Sequence, residues 1–184
     1  MSSSNIFMQL ITGAGPVMGE GLLEGWQGSI ELKEFSWGMH ALKDPKPKTA
    51  ASLARQAAKS AASMVGLGDT VTIKMEPLRF VKRFDAASAQ MHLCLDNHLP
   101  VVSASITVLH IKQQGRAIHQ PGFVLLATQG YFQEVDVELQ PDGNSMELVE
   151  TYILNFKNIK MTYLKTLGKD QLPTAPFFHP VSLI

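Results

Sequence analysis

The 184-residue chain is long enough for one domain with its own core, and its 16 Lys and Arg balance its 16 Asp and Glu. That balance leaves no excess positive charge for a phosphate backbone or an anionic bilayer, which argues against nucleic-acid and membrane partners. With 45% hydrophobic and 17% charged residues, and no run approaching the roughly 18 uncharged apolar residues of a helical span, a soluble globular protein is expected.

Taken in chain order, the start from Met1 to Asn5 lacks the basic region and apolar stretch of a secretory signal, and no cleaved leader is expected. The apolar run Ile6 to Ile11 reads as a strand, followed by Gly13-Ala14-Gly15-Pro16-Val17-Met18-Gly19. A Gly-rich loop after a strand can cradle a dinucleotide phosphate only where it opens a helix, and Pro16, Gly19, Gly21 and Gly25 disfavour one. A loop between strands is the better reading. The apolar phase shifts between Ile30, Leu32 and Phe35, Trp37, as at a bulge in a curving sheet. From Thr49 to Met64 the chain is Ala-rich, with Leu53, Ala57, Ala61 and Met64 at helical spacing; this segment is helix-competent but buries little apolar area.

Val71 to Glu76 alternates as a half-buried strand does, until Pro77 interrupts the ladder. Asp85 is placed to cap a helix from Ala86 to Asn97, with Met91, Cys94 and Leu95 facing inward. Alternation returns in Ala104 to Val108 and in Glu134 to Leu139, and Pro141-Asp142-Gly143-Asn144 then predicts a hairpin turn. Met146 to Tyr163 is too long for an ordinary strand and changes phase, which predicts two strands or one bent by a bulge. From Leu164 the composition shifts to a tail containing Pro173, Pro176 and Pro180.

Candidate chemistry is sparse. Cys94 is the only cysteine, which excludes an internal disulfide and a Cys-based zinc cage and suggests a reducing compartment. On the inward helical face it reads as a small hydrophobe. The six histidines, His40, His92, His98, His110, His119 and His179, form no short-spaced ligand pair. Ser29 and Ser36 sit in no nucleophile elbow, and Lys82-Arg83 reads as a solvated turn. No catalytic residue, cofactor or metal is expected, and the strand spacing argues for an antiparallel β-barrel with one packed helix and a second, Ala-rich helical insertion.

Trp26 and Trp37 sit in an informative setting. Gly19-Glu20-Gly21 followed by Gly25-Trp26-Gln27-Gly28, then Phe35-Ser36-Trp37-Gly38, resembles the opening of the haemolysin-coregulated protein (Hcp) family, tube subunits of bacterial type VI secretion. Phe80-Val81-Lys82-Arg83-Phe84-Asp85-Ala86-Ala87-Ser88 is similar to that family's segment before its helix. Leu154 to Tyr163, with Phe156 and Tyr163, resembles the closing strand, with Met161 where the family usually carries Trp. The Ala-rich segment 47–68 takes the place of a shorter Gly-rich loop, and the stretch 164–184 extends past the usual end. The tubes of contractile phage tails share the resemblance at fold level.

The resemblance implies an Hcp-like domain over residues 1–163 with a C-terminal extension over 164–184. It implies a structural protein rather than an enzyme. Six-membered rings would stack into a tube, carry small effector proteins, meet a contractile sheath and a tip protein, and leave the bacterial cytoplasm with no signal peptide cleaved. The motif residues Gly19, Glu20, Trp26, Phe35, Ser36, Trp37, Lys82, Arg83, Asp85, Phe156 and Tyr163 are then expected in the core or in assembly contacts, and Leu53, Ala57, Ala61 and Met64 in a stacking segment. The competing expectation is a small-ligand carrier or an enzyme that uses a barrel interior.

Overall fold

A computed structural model describes residues 5–42, 72–114 and 116–164. The described residues fall into two compact units, one within Met1–Trp37 and Pro77–Ile184, the other within Gly38–Glu76. The Ala-rich segment from Thr49 to Met64 and the tail beyond Leu164 lie outside the described residues.

The larger unit holds β1 (Ile6–Thr12), β2 (Gly15–Val17), β3 (Ile30–Ser36), and the smaller one β4 (Met39–Leu42) and β5 (Thr72–Met75). The larger unit continues with β6 (Leu78–Arg83), α1 (Ala86–Asp96), β7 (Val101–Gln114), β8 (Arg116–Asp142) and β9 (Ser145–Tyr163). Its seven strands form one antiparallel sheet in the order β2-β1-β3-β6-β9-β8-β7, and β7 also pairs with β1, from Ile6↔Val108 to Thr12↔Val101. The protein is thus mainly β, with one α-helix among the described residues. In the smaller unit β4 and β5 form an antiparallel pair of their own, with Gly38 O accepting from Glu76 N–H at 2.9 Å.

The core follows the strand period. On β6 Leu78 and Phe80 are fully buried, and on β9 so are Tyr152 and Leu154, whose positions lie opposite Phe80 and Leu78. Phe80 stacks on Tyr152 with ring centroids 5.4 Å apart and meets Phe132 edge-on at 6.4 Å. Phe7, Met8, Leu10, Ile30 and Leu32 complete the wall from β1 and β3.

The predicted helix forms and ends one residue early, at Asp96 with Asn97 as its C-cap; Met91 and Cys94 are buried, whereas Leu95 is half-buried. The predicted bulge in β3 is present as a register shift between Leu32 and Glu34. The turn after Pro141 closes a hairpin, with Gly143 at φ 60°, a left-handed conformation that glycine adopts without strain. The glycine loop after β1 is not simply a loop: Gly15–Val17 turns back as β2 and pairs with β1.

Strand length departs most from the sequence reading. Met146 to Tyr163 lies within the single strand β9, and the extra residue that bends the pairing sits on the partner, between Phe132 and Glu134 of β8. The short strand expected over Glu134 to Leu139 is the end of the 27-residue β8. That strand passes through Pro121 and Gly122 because the register against β7 shifts there, from Val108↔Phe123 to Leu109↔Pro121. A bulge leaves a position where the missing proline N–H costs no ladder bond.

Candidate functional site

The sequence motifs converge at the start of α1. Asp85 Oδ1 accepts from the Ala87 N–H at 3.0 Å, and Ser88 Oγ accepts from the Asp85 N–H at 3.0 Å, which completes a capping box. Glu20 Oε1 accepts from the Ala86 N–H, also at 3.0 Å, so a residue 66 positions away satisfies another free amide of the first turn. The loop that delivers Glu20 is drawn tight: Gly19 N–H donates to Gly28 O (2.8 Å) and Gly21 N–H to Ser29 O (2.9 Å). A Cβ on Gly19 would lie 2.5 Å from Ser29 O and 2.7 Å from Ile30 Cα, so the close approach requires glycine there.

Behind this cap lies a buried charged cluster. Lys82 stands on the same phase of β6 as Leu78 and Phe80, directly opposite Glu150 of β9, and both Lys82 and Glu150 are fully buried. Lys82 Nζ lies 2.7 Å from Glu150 Oε2, 2.7 Å from Asp85 Oδ1, 2.7 Å from Arg83 O and 2.8 Å from Ser88 Oγ. Ser88 Oγ donates to Glu150 Oε2 at 2.6 Å, and the Tyr152 hydroxyl donates to Glu150 Oε1 at 3.2 Å. His92 Nε2 comes within 2.7 Å of Glu150 Oε1 but meets it off hydrogen-bond geometry, making this a charge contact at most. The expectation of a solvated Lys82-Arg83 turn is therefore wrong for Lys82, whose strand phase takes it inward. Arg83 is half exposed as expected, but it ends strand β6 rather than standing in a turn, and it pairs with Glu147 and, at 3.7 Å, with Asp142.

Burial alone would raise the Glu150 carboxyl, but hydrogen bonds from Lys82 and Ser88 and the charges of Lys82 and His92 together outweigh it and hold the group below the usual carboxylate range. Burial, then the Glu150 charge and hydrogen bond, push the Tyr152 hydroxyl well above its ordinary value. A depressed carboxyl stabilises the fold fully above its unfolded-state value and loses that contribution as pH falls through its folded value. Acid unfolding should thus steepen below about pH 4, and Glu150→Gln should flatten that limb; superimposable acid limbs would show that Glu150 is not the group concerned.

Lysine, serine, histidine and carboxylate together suggest acid–base chemistry, yet Lys82, Ser88 and Glu150 are fully buried. A substrate has no route to them, and the ammonium is committed to carboxylates on two sides. The arrangement ties β6, β9 and α1 together. Among the described residues, no group of three or more His, Cys, Asp or Glu side chains could hold a metal ion.

The remaining motif aromatics lie apart from this cluster. Trp26 stacks on Phe7 at 5.5 Å, Phe35 on Phe123 at 6.3 Å, and Trp37 tilts against Phe156 at 6.5 Å. Ser36 is exposed opposite Arg79, and Tyr163 is exposed at the end of β9. Sequence reasoning missed Glu150, Tyr152 and His92. A signal was present: Glu150 falls on the phase of Tyr152, Leu154 and Phe156, as Lys82 falls on that of Leu78 and Phe80, so each is a charge within an apolar row.

The sequence matches no protein-family model and no curated protein. The structure does match solved ones. Hcp1 from E. coli EAEC 042 superposes with a TM-score of 0.67 at 16% identity, covering 89% of this chain and 93% of the other. The fold is Hcp-like. A type six secretion system protein gives a TM-score of 0.66 at 18% identity, covering 95% of this chain and 93% of that one. The secreted protein Hcp3 from Pseudomonas aeruginosa gives 0.58 at 10% identity, covering 88% and 91%. Glu20, Lys82 and Asp85 meet around the start of α1 in this fold.

Proposed function

We propose that this chain is the structural subunit of a type VI secretion tube, not an enzyme. Six copies form a ring, rings stack into a tube, and the tube leaves the cytoplasm through a contractile apparatus with small effector proteins in its lumen. The observation that carries this reading is a likeness in fold to Hcp structures that extends over about nine-tenths of both chains. The pairing of β7 back onto β1 supports a closed barrel as the building block. Sheath and tip proteins are the further partners.

Within this reading Gly19, Glu20, Lys82, Arg83 and Asp85 fix the helix against β6 and β9, while the aromatic motif residues fill core and subunit contacts. The segment 47–68, with Leu53, Ala57, Ala61 and Met64, serves stacking, since its apolar stripe is too thin to hold it without a partner surface. Residues 1–163 form the tube domain, and 164–184 extend it.

Export tests the proposal in cells. The protein should appear in the medium with the N-terminus it was synthesised with, and only when the contractile apparatus is intact. Release through the general secretory route, or a trimmed start, would defeat it.

A further inference from the structure

Towards its tip the β8–β9 hairpin outruns its neighbours on both flanks. Pairing of β7 with β8 ends there at Val101↔Gly130, and pairing of β6 with β9 ends at Arg83↔Val149, continued only by the Phe84 N–H, which donates to Leu148 O at 3.0 Å. Past these rungs the hairpin is an arm two strands wide, a form that is marginal in water by itself. Apolar burial does not fasten it, because Val137, Leu139, Met146 and Leu148 remain between 37% and 63% exposed.

The fastening is ionic. Glu147 stands next to Leu148 on the other face of β9, and its side chain is only 12% exposed. Its Oε2 meets Lys33 Nζ of β3 at 2.5 Å and its Oε1 meets Arg83 Nε of β6, while Arg83 Nη2 lies 3.7 Å from Asp142 in the arm. Both cations are reached by solvent, Lys33 at 34% and Arg83 at 50% exposure. At the base of the arm the extra residue Gln133 interrupts the ladder between Phe132 and Glu134, which gives the two strands a place to bend.

We propose that Glu147 is the catch of an ionic latch: gripped by Lys33 and Arg83 it holds the arm in line with the barrel, and competition for those cations lets the arm swing at the Gln133 bulge and fray. The closed arm aligns Phe84, Leu148 and Leu139 on one face from the end of β6 across β9 to β8, since Leu148 pairs with Leu139 and takes the Phe84 N–H bond. Opening breaks that row but spares the Lys82–Glu150 cluster, whose rung lies further in than Arg83↔Val149. The latch makes an apolar surface conditional on charge. It goes beyond the tube reading and does not depend on it.

Hydrogen exchange of the full-length protein, read by mass spectrometry, separates local opening from global unfolding. In low salt the wild-type amides of 138–148 and of Phe84 should be protected; in about 1 M NaCl, where the screening length falls to about 3 Å, they should exchange about tenfold faster. Glu147→Gln should show the fast rate already in low salt and lose the salt response, as should Lys33→Gln with Arg83→Gln. Glu134→Gln, on the same hairpin but outside the latch, should behave as wild type. The amides of β6 from Leu78 to Lys82 should keep wild-type protection throughout, which shows that the variants stay folded. Equal arm rates in wild type and Glu147→Gln, a salt response that survives that variant, or β6 protection lost in step with the arm would overturn the latch and leave the ring reading intact.

Discussion

Lys82→Met should destabilise the protein by about 3 to 5 kcal/mol, the usual cost of breaking a buried ion pair by removing one partner. The loss is large because what remains is unfavourable: Glu150 stays fully buried without the ammonium 2.7 Å from it, and Asp85 loses its partner at the same distance. Glu150, fully buried in an apolar row, cannot recover water and must take up a proton or leave the core, whereas Asp85 at the helix cap keeps its bond from the Ala87 N–H. The double variant Lys82→Met with Glu150→Leu should recover much of the loss, because a well-packed apolar pair often matches the ion pair it replaces. Urea unfolding of both variants and of Glu150→Leu forms a double-mutant cycle. Additive losses would show that the two residues do not act as a pair.

Phe80→Ala should cost a similar amount, about 3 to 5 kcal/mol, by a different route. Phe80 is fully buried between Tyr152 and Phe132, so its truncation leaves a cavity bounded by strands on both sides. The ladder Leu78↔Leu154 to Arg83↔Val149 fixes those walls and limits collapse into the space. Trp37 is half-buried, and Trp37→Ala should cost less. Thermal melting of the two variants settles the order; equal losses would mean that exposure is not what separates them.

Local physics made some of this legible in the sequence. The cap at Asp85 and the turn at Gly143 depend on residues within a few positions of each other, and the shift at β3 follows from a break in apolar phase. The length of β8 was not legible, because Pro121, Gly122 and Gly130 are breakers in isolation; they are absorbed because β8 pairs with both β7 and β9 and carries the extra residues, Gly122 and Gln133, as its own bulges. The charged cluster was hidden for a related reason. Lys82 and Glu150 are 68 positions apart, and their opposition depends on β6 lying beside β9. The motif pairing of Glu20 with the helix start likewise needed the fold to bring together segments 66 positions apart.

The mass of the purified full-length protein in solution, measured by light scattering behind a sizing column, tests the tube account most directly. The account predicts a ring with about six times the 20.2 kDa of the chain, or a multiple of it where rings stack. A particle that remains at 20.2 kDa at high protein concentration would contradict it.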